Sequence, residues 1–163
     1  MNYKALFDQG IAFQTYVAQG SDEEVQAVGK AAEALCAQLS HPIATSIAAI
    51  EQEINILIAG ETWCPDCQLN ITAICAMAEL QPKIKIAIIS RDFAKENLLD
   101  KLDIEAVKIP LAVVLDQYYQ PKGLFVEQPK TVKSSDDLAL AAAYDQGERL
   151  NDTIAEILAI IES

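Results

Sequence analysis

Residues 54–67 read INILIAGETWCPDC, a short apolar run followed by a polar bend and two cysteines separated by proline and aspartate. The run is rich in β-branched residues and bounded by polar ones, the pattern of a strand buried on both faces. Pro65 suits the first turn of a helix, where its missing N–H costs nothing. Leu69, Ala73, Ile74 and Met77 then mark the inward side of a helix that runs to Leu80, with Pro82 beyond its end. A buried strand feeding directly into a helix needs a second strand to pair with after the helix returns, so this stretch points to an α/β chain.

The flanking sequence fits that class. KIKIAIIS at 83–90 reads as a second strand, LAVVLD after VKIP as a third, and GLFVE after the turn chemistry of QPKG at 120–123 as a fourth that pairs back as a hairpin. Asp92 is placed to cap a helix carrying Leu98, Leu99 and Leu102. Ahead of the first strand, residues 3–18 read as one helix weakened at Gly10. Ser21 with Glu24 forms a capping box for a second helix, whose apolar stripe is Val25, Val28, Ala32, Leu35 and Leu39. Cys36 next to Leu35 reads as a small buried hydrophobe. His41 and Pro42 end that helix, and Ile43, Ile47 and Ile50 suggest a short further one. His41, the single histidine, has no acidic or thiol neighbour in sequence and reads as a helix-end or surface residue. Ser134, Ser135 and two aspartates open a C-terminal helical region that Gly147 divides, with Leu150, Ile154, Ile157, Leu158 and Ile161 on one face. The expected architecture is a three-layer α/β/α fold with a mixed sheet. Residues 1–50 form a helical N-terminal extension packed on a domain of residues 51–163.

With 163 residues, the chain is long enough for one domain with a sizeable core. A formal net charge of −12 repels phosphate backbones and anionic membranes, so nucleic acid and membrane are not expected partners. No run approaches the roughly 18 apolar residues of a membrane span. The first 20 residues lack the basic flank and compact apolar core of a secretory signal. A cytoplasmic location, where thiols stay mostly reduced, is the expectation.

Two thiols at this spacing can bind a metal, close a structural bridge or exchange electrons. A closed zinc site wants four ligands, and this single pair has no second. Cys75 would stand about 12 Å further along the helix at about 1.5 Å per residue, and reads as core beside Ile74. The least implausible metal site would bridge two subunits, and no metal is expected. The position suits redox chemistry. Cys64 at a helix start meets unpaired N–H groups and the helix dipole, which favour a thiolate. Cys67 lies one turn further, within reach of it, and the strand's carboxyl end is where open α/β sheets place their sites.

Trp63-Cys64-Pro65-Asp66-Cys67 after a central strand resembles the active-site segment of the thioredoxin family, and the Pro-Asp filling resembles thioredoxin-related proteins with a W-C-P-D-C site. Val107-Lys108-Ile109-Pro110 before an apolar strand is similar to the family's second signature, a cis-proline beside the cysteines. The resemblance covers about residues 54–127. It implies a thiol–disulfide oxidoreductase working in the reducing direction, with Cys64 as nucleophile and Cys67 as resolving thiol. Trp63 would wall the site, Ile109 would offer backbone groups to an extended substrate segment, and Pro110 would press on the pair; Pro110 also reads simply as a proline opening the next strand. The substrate would be a disulfide-containing protein or small molecule, renewal would need an external reductant, and no cofactor is called for. The chain departs from the family where many members keep a buried acid and a paired lysine, since Ile58 and Ile88 stand there. Glu61, Asp66 or water would then take the proton of Cys67. Asp66 would raise the Cys64 pKa by its charge, or serve only the helix dipole in solvent. The departures keep a second reading open, a non-catalytic interaction module or redox switch on the same fold.

Overall fold

The computed structural model describes residues 1–163. Four strands, β1 Ile54–Ala59, β2 Ile84–Ile89, β3 Leu111–Leu115 and β4 Pro121–Val126, form one sheet in the order β2-β1-β3-β4. β1 runs parallel to β2, with Ile54 opposite Ile84 and Ala59 opposite Ile89, and antiparallel to β3. β3 and β4 form the antiparallel hairpin. Every residue of β1 and β3 is buried, as two central strands covered on both faces must be.

The helices are α1 Tyr3–Gln9, α2 Phe13–Ala18, α3 Asp22–Gln38, α4 His41–Ala48, α5 Pro65–Leu80, α6 Arg91–Leu102, α7 Lys130–Lys133, α8 Leu138–Asp145 and α9 Leu150–Glu162. α5 is the helical centre. α3, α4 and α9 pack round it, and α9 also lies on β3 and β4. That environment explains why Ile71 through Cys75 are all buried and why α5 lacks a polar face. In α9 the expected face, Leu150, Ile154, Ile157, Leu158 and Ile161, is buried throughout. No helix is long and apolar enough to cross a membrane.

Several local expectations need correction. The helix expected over residues 3–18 is two helices, broken at Gly10–Ala12. A Cβ at Gly10 would stand 2.6 Å from Cβ of Ala87 and 3.0 Å from its backbone, so only glycine lets the chain approach β2 this closely. Ile11 then exchanges two backbone hydrogen bonds with Ile88, each 2.9 Å, which covers part of the exposed edge of β2.

The Ser21–Glu24 capping box is present, but the buried stripe of α3 is Val28, Ala31 and Leu35, while Val25 and Ala32 are exposed. Cys36 is exposed rather than buried, because one residue beyond Leu35 turns the side chain about 100° off the stripe. His41 and Pro42 open α4 rather than merely ending α3. Ser40 caps it by accepting from the Ile43 N–H at 3.3 Å. Ser90, not Asp92, caps α6.

The hairpin turn lies at Asp116–Tyr119, ahead of QPKG. Asp116 Oδ1 accepts from the N–H groups of Tyr118 and Gln120 at 2.8 and 2.9 Å. β4 therefore starts at Pro121, a residue an edge strand tolerates.

Candidate active site

β1 delivers the chain to Gly60, and the bend 60–63 brings Cys64 to the N-cap of α5. Here too the backbone comes close. A Cβ at Gly60 would collide with the Ile71 side chain and lie 3.3 Å from Cys67 Sγ. The Cys64 sulfur accepts from the Cys67 N–H at 3.4 Å, and its S–H points to the Ile109 carbonyl at 3.8 Å. The Ile109–Pro110 peptide is cis, and both residues are buried. All four cysteines are free thiols.

The two sulfurs differ in surroundings. Cys64 keeps 7% exposure, whereas Cys67 has none. The Cys64 pKa is lowered to about 7, chiefly because the Cys67 thiol donates a hydrogen bond to it, with the Cys67 and Asp66 backbone N–H groups assisting; burial and the Asp66 charge oppose. Cys67 is pushed up, since its proton is held in the bond to Cys64 and burial penalises its charge. Both sulfurs are buried, but the thiolate is favoured at Cys64, which keeps a small opening to solvent, and disfavoured at Cys67 behind it. Cys75 is buried and its thiol is also pushed up by burial.

The other candidate residues divide. Trp63 is 57% exposed and Pro65 is exposed, both flanking Cys64 at the surface. Asp66 is partly buried, and its Oδ1 accepts from the Tyr144 hydroxyl at 2.6 Å and from Gln128 Nε2 at 3.3 Å. Glu61 turns its carboxylate to the start of α6, where Oε2 accepts from the Arg91 N–H at 2.7 Å. Its carbonyl accepts from the Tyr16 hydroxyl at 3.0 Å. Ile58 and Ile88 face each other across β1 and β2, both buried. His41 is exposed at the start of α4, and no group of three or more His, Cys, Asp or Glu side chains converges as metal ligands would.

Tyr16, Asn70, Gln128, Tyr144 and Thr153 were not singled out from the sequence. Asn70 carries a local signal, a polar residue three after Cys67 on a helix whose inner side is mostly apolar. Tyr16 and Tyr144 reach the site from 45 and 78 residues away.

A mixed four-stranded sheet, a CxxC pair opening the helix after a central strand, and a cis-proline loop against the first sulfur define a thioredoxin-like fold. A family model described as Thioredoxin matches residues 10–139, and the chain belongs to the thioredoxin family. Two solved structures are similar over its length. One is a protein of unknown function from Pseudomonas aeruginosa, 39% identical, covering 99% of this chain and 98% of its own, with a TM-score of 0.95. The other is an HIV epitope-scaffold, 37% identical, with the same coverage and a TM-score of 0.96. No curated protein matches the chain.

Proposed function

We propose that the protein is a thiol–disulfide oxidoreductase that reduces disulfides through Cys64 and Cys67. The observation that carries this reading is the asymmetry of the pair: Cys64 at the helix start keeps a small opening to solvent and a lowered pKa, and Cys67 behind it is fully enclosed and holds its proton. The Cys64 thiolate attacks one sulfur of a substrate disulfide, forms a mixed disulfide and expels the other sulfur as a thiolate. Cys67 then loses its proton and attacks Cys64 Sγ, which releases the remaining substrate thiolate and leaves a Cys64–Cys67 disulfide. Two electrons pass to the substrate, and an external dithiol returns them.

Supporting roles follow from position. Trp63 and Pro65 form the rim beside Cys64. The backbone of Ile109, already within reach of Cys64 Sγ, is placed to pair with an extended substrate, and Pro110 adds no competing N–H donor. With the Glu61 carboxylate occupied at α6 and apolar Ile58 and Ile88 in the core, the proton of Cys67 leaves by water or toward Asp66.

The test is turnover of a small disulfide with excess dithiol, comparing wild type with Cys64→Ser and Cys67→Ser. Wild type should turn over many times. Cys64→Ser should be inert, and Cys67→Ser, mixed with the disulfide in the absence of dithiol, should accumulate a covalent adduct through Cys64. A wild-type protein that oxidises once and stops would instead describe a redox switch.

A further inference from the structure

Behind Asp66 lies a chain of polar groups that the reaction above does not use. Thr153 on α9 donates to Asn70 Oδ1 at 2.6 Å. The Asn70 amide on α5 donates to the Tyr144 hydroxyl at 2.9 Å, to the Asp66 carbonyl at 2.9 Å and to the Glu127 carbonyl at 3.0 Å. Its two hydrogens are thus shared among three acceptors. The Tyr144 hydroxyl, with one lone pair taken by Asn70, directs its own hydrogen to Asp66 Oδ1, where Gln128 also donates. Thr153 and Asn70 are fully buried and Tyr144 nearly so. The chain reaches the other wall of the site as well, because the Glu127 N–H donates to the Pro110 carbonyl at 2.8 Å.

A buried polar network of this kind fixes its members and is costly to leave half satisfied. Here it ends on a carboxylate. An aspartate at the start of a helix, left to solvent, would swing through several rotamers and be screened by water. Held by two donors, it stands still next to the pair. We propose that Tyr144, with Gln128, is a positioning residue for the Cys64–Cys67 pair: the two pin the Asp66 carboxylate beside the sulfurs and thereby set how reducing the pair is. The inference rests on the redox reading above and deepens it. It gives α8 and the loop after β4 a part in the chemistry without touching the substrate.

The direction follows from charge. A fixed carboxylate disfavours a second negative charge on Cys64. It therefore destabilises the reduced thiolate form and makes the pair a better reductant. The ionisable groups facing Cys64 are Cys67 and Asp66 on α5, Tyr16 on α2 and Tyr144 on α8. Burial holds both tyrosines neutral, which leaves Asp66 as the carboxylate acting on the sulfur.

The test follows alkylation of Cys64 by iodoacetamide against pH, in a Cys36→Ser background that removes the exposed thiol. Asp66→Asn should move the midpoint to lower pH and make alkylation below it about threefold faster. Tyr144→Phe and Gln128→Ala should each move it the same way by less, and neither should add to Asp66→Asn. Tyr144→Phe leaves Asn70 two other acceptors, so no buried donor is orphaned, and Gln128 is only partly buried. Midpoints unmoved by both variants, or moved as far with Asp66→Asn already in place, would overturn the proposal. Alkylation needs no disulfide substrate, so a protein inactive as a reductase and a network without influence on Cys64 give different results.

Discussion

At Cys64 four influences meet on one atom: the proton of Cys67 and the helix-start N–H groups favour the thiolate, and burial and the charge of Asp66 oppose it. The hydrogen bonds win over burial and charge, and the thiol falls from its ordinary value to about 7. With Cys36 replaced by serine, the alkylation rate should rise as pH climbs through about 7 and level off above it, while Cys67 and Cys75 stay unmodified in the folded protein. A rate still climbing steeply at pH 9 would contradict this. The linkage has a definite sign. A pKa depressed by folding stabilises the native state once the unfolded thiol also ionises, and that stabilisation is lost as pH falls through about 7. The reduced protein should accordingly gain more resistance to urea between pH 7 and 9 than its Cys64→Ser variant does. Cys64, Cys67 and Ile109-Pro110 were legible in the sequence because each motif is local. The hydroxyls of Tyr16 and Tyr144 were not, since nothing within a few residues of either says where its donor ends.

Elements that bury a continuous face were readable, and their junctions were less so. β1, α5 and the face of α9 follow from apolar pattern and the proline at a helix start. The breaks at Gly10, Ser40 and Asp116 depend on which backbone groups find partners, which a pattern of apolar residues does not encode. The Gly10 junction matters because it turns α2 so that Tyr16 reaches the Glu61 carbonyl, in the loop carrying the cysteines. Gly10→Ala should cost about 1–3 kcal/mol in urea denaturation by forcing Ala87 and its backbone aside. Tyr16→Phe, which removes one hydrogen bond and little volume, should cost about 1 kcal/mol. Equal stability of wild type and Gly10→Ala would mean that the close approach of this segment to β2 is not held in solution.

The molecule carries a formal net charge of −12, and its field acts on any charged substrate before contact. A small cationic disulfide such as cystamine should react several-fold faster than an anionic one at low ionic strength. The two rates should converge as salt shortens the Debye length to about 3 Å near 1 M. A preference unchanged by salt would place the discrimination in the site rather than in the global charge. Electron exchange in this protein depends on Cys64 and Cys67 forming and breaking one bond reversibly. A redox titration in dithiol/disulfide buffers, with peptide mapping of the product, tests that most directly. It should give a single two-electron transition on the reducing side, with Cys64 joined to Cys67. Cysteines that remain unlinked across the whole range, or a linkage that leaves Cys64 free, would contradict the account.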